Sequence, residues 1–288
     1  MAGRRHRGFY SSFQYVTLLA GPVMALCVLL VLQAILTEAQ LEQWGWRIPF
    51  AIGAVMAISV YVLRRGLAET EAFTRSQADG SHPRSSAWAL LRHHPRAAAT
   101  VVAMTAGGTL AFYAYSTYMQ KFLVNTAGFG RQTATAIMAS ALFIYMLAQP
   151  LAGALSDRVG RRPLLIGFGI SGALFTVPIF TRLETVTSSF TAFLLVLAGL
   201  VMVTGYTSIN AIVKAELFPA HIRALGVALP YALANAVFGG TAPYVALWFK
   251  QAGWERGFYW YVSAMIGVSL VTYLRMRDTK TNSKILED

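Results

Sequence analysis

Eight blocks of predominantly apolar residues alternate with short polar or basic stretches along the chain, at approximately 13–36, 47–63, 97–119, 133–155, 164–181, 190–213, 225–249 and 257–274. A helix of about 20 residues covers the roughly 30 Å of a bilayer's hydrocarbon core, and each block is about that long. None shows the two-residue alternation of a barrel strand, and backbone groups in lipid must be bonded within their own segment, so the pattern predicts helices. The expected fold class is an all-α polytopic membrane protein with eight transmembrane helices. The first block follows a basic start, MAGRRHRGFYSSFQ. It is too long for a signal sequence's apolar region and has no clear small-residue cleavage site, so it reads as a retained span.

Composition agrees. Hydrophobic residues make up 56% of the 288 and charged residues 12%, against roughly 45–50% and about 25% in soluble domains. A soluble single-domain enzyme is therefore not expected. The net charge of +12 would elsewhere suggest nucleic acid. Here the cations sit in short stretches between apolar blocks instead of on one continuous face, and no nucleic-acid partner is expected.

Their distribution sets a topology. The N-terminus (Arg4, Arg5, Arg7), the 64–96 segment (Arg64, Arg65, Arg75, Arg84, Arg92, Arg96), the DRVGRRP loop, Lys214 with Arg223, and the tail (Arg275, Arg277, Lys280, Lys284) hold 18 of the 24 Lys and Arg residues. By the bias of such residues towards the cytoplasm, both termini are expected inside a multi-pass protein of the cell membrane. Trp44, Trp46, Trp248 and Trp254 would then form an aromatic belt at the outer interface. The polar stretch 64–96 reads as a cytoplasmic linker between two spans (1–63) and a six-helix bundle (97–274), with 275–288 a cytoplasmic tail of no recognisable signal.

The most specific motif lies between the fourth and fifth blocks, GALSDRVGRRP, with Gly153, Asp157, Arg158, Gly160, Arg161 and Arg162. Gly153 would let a neighbouring helix approach closely, and Asp157 could accept hydrogen bonds at a helix N-terminus, where an anion is favoured. Gly160 permits a tight turn, and the arginines suit headgroups. An ordinary basic loop that only sets topology would look similar.

This pattern resembles the cytoplasmic-loop motif of the major facilitator superfamily. The next basic loop, AELFPAHIRALG, which carries Glu216 and Arg223, resembles its counterpart two spans later. The stretches WGWRIPF, YMQKFLVNTAG and FGGTAP are similar to the metabolite:proton symporter branch. The resemblance covers nearly the whole chain and implies the last eight of a twelve-span fold, so that the first four spans would come from elsewhere, such as another chain. It implies proton-coupled symport of α-ketoglutarate or a similar small dicarboxylate by alternating access, with no cofactor. Other members of the branch carry citrate, shikimate or proline and betaine, and a truncated, non-transporting membrane protein is the alternative from a different class.

A dianionic substrate needs a cation. Arg47, at the start of the second block beside two tryptophans, can hold a carboxylate through two parallel hydrogen bonds; an interfacial arginine reaching the outer headgroups would occupy the same position. Tyr206, Asn210 and Lys214 are four apart and share one helical face. Tyr231 and Asn235 repeat that spacing, and Tyr115 and Tyr118 lie three apart. Together with Lys121 these could line a hydrated path, although hydrogen bonding between helices, or an outer anchor in the case of Lys121, explains them without a substrate. Glu216 and Arg223 flank a proline turn, where they could pair with Arg158 and Asp157; passive loop pairs of this kind contribute little, and it is the resemblance that implies an inward gate. No Asp or Glu falls in the centre of a block, and all five histidines fall in loops or at ends. The proton carrier is therefore expected in spans outside this chain, unless the substrate's own carboxylate takes part or coupling is lost.

Enzyme signals fail on context. Gly167, Gly169 and Gly172 match G-x-G-x-x-G inside an apolar span, with no strand before them. His93 and His94 have no further ligand at metal-binding spacing.

Overall fold

The computed structural model describes residues 6–65 and 86–285. Their regular structure is entirely helical. The long helices are α1 (Arg7–Ile35), α2 (Arg47–Arg65), α3 (Pro95–Asn125), α4 (Arg131–Val159), α5 (Arg161–Leu183), α6 (Ser189–Glu216), α7 (Ile222–Gln251) and α8 (Arg256–Arg275). Seven of these are long and apolar enough to cross a membrane alone. The eighth expected span is bent: a short segment, Glu38–Gly45, meets Arg47–Leu63 at 42°. The helices run past the apolar blocks at most ends because Arg7, Arg131, Arg161 and Arg256 are helical. A long arginine can keep its charge in the headgroup layer while its backbone continues the helix.

Glycines and small polar side chains decide how closely these helices approach, since apolar faces alone do not discriminate between partners in lipid. Along α1 the buried positions Gly8, Ser12, Tyr15, Leu19 and Val23 form one stripe, and this stripe packs along α4. A Cβ added at Gly153 would lie 2.6 Å from the Gly8 carbonyl oxygen. The two backbones therefore touch at that crossing.

Between α3 and α8, the Ser269 hydroxyl inserts into the α3 hydrogen-bond ladder. It donates to the Ala103 carbonyl at 2.7 Å and accepts from the Gly107 amide at 2.9 Å. Tyr273 OH adds a bond of 2.8 Å to the Met104 carbonyl. Helices α3 to α8 surround an aromatic core in which Phe180 stacks on Tyr259 at 4.8 Å between centroids. By contrast, every residue from 51 to 63 on α2 is exposed.

Two segments expected to be plain connections have structure. The end of the 64–96 stretch holds a short helix, Ala87–His93, whose Leu90 is buried against Val101, Phe218 and Ile222; residues 66–85, with Arg75, His82 and Arg84, lie outside the described residues, as do Arg4 and Arg5. The tail also packs, as described below.

Candidate functional site

A groove of about 530 Å³ runs along the seam where α1 meets α3, α4 and α7. The α1 wall is apolar, with Leu18, Leu19, Pro22 and Leu26, whereas Ser116, Thr117, Gln120, Tyr231 and Asn235 supply polar groups from α3 and α7. A π-helical turn at Ala114–Tyr118 interrupts α3 beside the groove, and another at Asn235–Gly240 interrupts α7. Such turns rotate the following side chains off the regular helical register. Tyr15 from α1 and Tyr231 from α7 both line the groove and meet side chain to side chain.

Behind Tyr231, inside the bundle, lies a buried polar file. Lys214 is 1% exposed. Its Nζ donates to Asn210 Oδ1 at 2.9 Å and to Tyr206 OH at 3.4 Å, and sits 3.9 Å from the centre of the Tyr231 ring. The Tyr206 ring fills the space that Gly108 leaves on α3. Nearby, Tyr145 OH and Thr207 Oγ1 are 2.7 Å apart, and Thr207 also donates to Gln149 Oε1 at 3.0 Å.

The end of the molecule that carries the basic loops is closed by a second network. Asp157 accepts the Gly8 and Phe9 amides of α1, each at 2.8 Å, one on each carboxylate oxygen. These are free donors of a helix first turn, where a carboxylate is stabilised by both hydrogen bonds and the helix dipole. Arg161 pairs with Asp157 at 2.8 Å and also donates to Ser156 Oγ. The pair is nearly dry, with side chains 1% and 7% exposed. Gly160 has φ +101°, a conformation that favours glycine.

The tail completes this network. Asp278 accepts the Arg161 and Arg162 amides at 3.2 Å each, at the start of α5. Thr279 Oγ1 donates to Glu216 Oε2 at 2.5 Å, Lys280 Nζ to the Arg158 carbonyl at 3.1 Å, and the Lys284 amide to the Glu216 carbonyl at 2.9 Å. Arg162 donates to the Tyr273 and Leu274 carbonyls at the end of α8. Removing the Asp278 carboxylate leaves the α5 amides without their acceptor. Asp278→Ala is expected to cost about 1 kcal/mol, as for loss of a helix cap. A thermal melt in detergent would show it as a lowered Tm; an unchanged Tm would mean that water replaces the carboxylate.

The expected site residues thus fall into separate places. Tyr231 and Asn235 line the groove, whereas Tyr206 and Asn210 are buried behind it beside Lys214. Tyr115 and Tyr118 do not line the groove: they are buried in the aromatic core, where Tyr115 OH donates to Thr176 at 3.3 Å and Tyr118 OH to Glu255 at 2.9 Å. Lys121 is exposed. Arg47 is exposed too, stacked 4.4 Å over Trp46 and donating to the Gln43 carbonyl at 2.6 Å.

The expected loop pairs also change. Asp157 pairs with Arg161, four residues on, and Glu216 is bonded by Thr279. Arg223 donates to the Phe218 carbonyl of its own turn at 3.2 Å, a local contact in place of the expected one across to α4. Lys214, read as a loop cation, is in the bundle; only its spacing from Tyr206 and Asn210 signalled this. Tyr15 and Asp278 had no such signal, because each acts through a contact distant in sequence.

The chain matches the family described as Major Facilitator Superfamily over residues 1–213 and 122–287. It is 50% identical over 270 residues to an alpha-ketoglutarate permease of Escherichia coli strain K12, covering 94% of this chain and 62% of the relative. A citrate-proton symporter of Salmonella typhi is 29% identical (94% and 63% covered), and a proline/betaine transporter of Salmonella typhimurium is 28% identical (96% and 57%). The chain therefore spans less than two thirds of the length of each. No solved structure matches it.

Proposed function

The chain belongs to the Major Facilitator Superfamily, and on that premise we propose that it serves proton-coupled symport of α-ketoglutarate or a similar small dicarboxylate by alternating access. The observation that carries this reading is the groove at the α1 seam, lined by Tyr15, Tyr231 and Asn235, together with a basic end shut by Asp157 on the first turn of α1. A transporter of this kind works by moving helices against one another around a site that is open to one side at a time. A seam with polar walls along one stretch and a hydrogen-bonded closure at one end suits that cycle. We assign the closed, basic end to the cytoplasm from its lysines and arginines, which places both termini there. The dicarboxylate comes from the identity to the alpha-ketoglutarate permease, and the proton from the name of the citrate-proton symporter.

Uptake of labelled α-ketoglutarate into proteoliposomes, driven by an inward proton gradient, tests the reading. Accumulation should be saturable, abolished by a protonophore, and competed by unlabelled dicarboxylates more strongly than by citrate, shikimate, proline or betaine. Stronger competition by one of the latter would move the substrate to that class. No gradient-driven uptake of any of them by this chain, with uptake when further spans are supplied, would favour a second reading, in which the chain transports only with more helices packed on α1 and α2. The exposure of every residue from 51 to 63 supports that reading.

A further inference from the structure

Lys214 is a buried basic side chain without an anion. Its three ammonium donors reach Asn210 Oδ1, Tyr206 OH and the face of the Tyr231 ring, all of them neutral. Among the described residues no carboxylate pairs with it. Arg161, equally buried, is neutralised by Asp157 at 2.8 Å. Burying a charge is costly unless it is paired, and an ionisable group kept inside a membrane bundle without a structural partner points to function.

The position of the ammonium supplies the ligand chemistry. Tyr231 lines the groove on one side and lies 3.9 Å from Lys214 Nζ on the other, so a single aromatic ring separates them. A ring face attracts a cation, but more weakly than a carboxylate does in the same dry setting. Arg47 and Lys121 are poorly placed for this role. Arg47 is exposed and already satisfied by Trp46 and Gln43, and Lys121 is exposed.

We propose that Lys214 is the cation that receives one carboxylate of the substrate, and that the Tyr231 ring stands in for that carboxylate while the site is empty. This rests on the dicarboxylate reading above. Entry of the ligand from the groove swings Tyr231 aside and brings a carboxylate oxygen onto the third ammonium donor. Asn210 and Tyr206 hold the ammonium in place and act as positioning residues.

The test is equilibrium binding to the purified chain in detergent, using α-ketoglutarate and its monomethyl ester, with a thermal melt of each protein. Lys214→Met, similar in length and apolar, is expected to weaken α-ketoglutarate binding by roughly 100-fold, the scale of truncating one partner of a buried charge pair. It should also erase most of the preference for the diacid over the monoester. Its Tm should stay level or rise, because an uncompensated buried charge has been removed. A lysine that merely supports the fold would give the opposite, a lowered Tm with affinity and preference unchanged, and that result overturns the assignment. Should the Met variant not fold, Lys214→Gln carries the same test. Binding by the unsubstituted chain separates the two levels: if it binds neither compound, the dicarboxylate reading falls and this assignment with it, whereas binding that survives Lys214 substitution removes the assignment alone.

Discussion

Asp157→Ala is expected to destabilise the protein by about 3 kcal/mol and to open its basic end. Two losses combine. The Gly8 and Phe9 amides lose the carboxylate that caps α1, and the Arg161 guanidinium, 1% exposed, is left with its charge uncompensated. Breaking a buried pair by removing one partner costs more than the pair itself contributes, because the survivor stays unpaired and dry for as long as the end is closed. The double variant Asp157→Leu/Arg161→Met should therefore recover part of the loss in Tm, while the α1 cap stays missing. A cysteine placed at Ser12, buried beneath this crossing, should become reactive to a water-soluble maleimide in Asp157→Ala and stay protected in the unsubstituted chain. If Asp157→Asn, which keeps one acceptor but no charge, left both uptake rate and labelling unchanged, the closure would have no part in gating.

Gly153→Val should have an effect of similar size by a different route. A Cβ at this position lies 2.6 Å from the Gly8 carbonyl oxygen and 2.9 Å from Ser12 Cβ, and valine adds two further carbons. The obstruction is backbone, so no rotamer change relieves it, and α1 must move away from α4. Overpacking of this kind costs about 3 kcal/mol at the upper end. Since α1 forms one wall of the groove and α4 lines it through Leu142, the displacement should also abolish uptake. The contrast is Gly167, where an added Cβ meets nothing within 4 Å. Gly167→Ala should melt at or above the temperature of the unsubstituted chain, because alanine favours helix over glycine. Equal melting temperatures for Gly153→Val and the unsubstituted chain would show that the two helices do not depend on this crossing.

The apolar blocks located the spans to within about six residues at each end. What they missed were the ends, where arginines continue the helices, and the bend before α2. The DRVGRRP motif was legible as a turn with an acidic residue suited to a helix N-terminus. The helix it caps, α1, lies nearly 150 residues earlier, and nothing local in the sequence names that partner. The tail had no readable pattern. Asp278 and Thr279 have their partners on α5 and α6, and short polar side chains at the end of a chain look alike whether they cap a helix or face water.

The polar residues inside the spans divide along the same line. Spacing grouped Tyr206, Asn210 and Lys214 correctly on one face, since that follows from 3.6 residues per turn. It also grouped Tyr115 with Tyr118, yet these belong to the aromatic core, and it could not tell Arg47 at an outer edge from a cation in the interior. Span position, helical class and the concentration of cations at one end follow from the sequence alone, because burial in lipid depends on the apolar content of each segment taken singly. Which face of each helix turns inward was decided by the tertiary structure. In a bilayer both the lipid-facing and the bundle-facing sides are apolar, so no stripe of hydrophobicity marks the inside. The rotation of each helix, and with it the burial of Lys214 behind Tyr231, is set by close contacts such as Gly8 against Gly153 and Ser269 against Gly107.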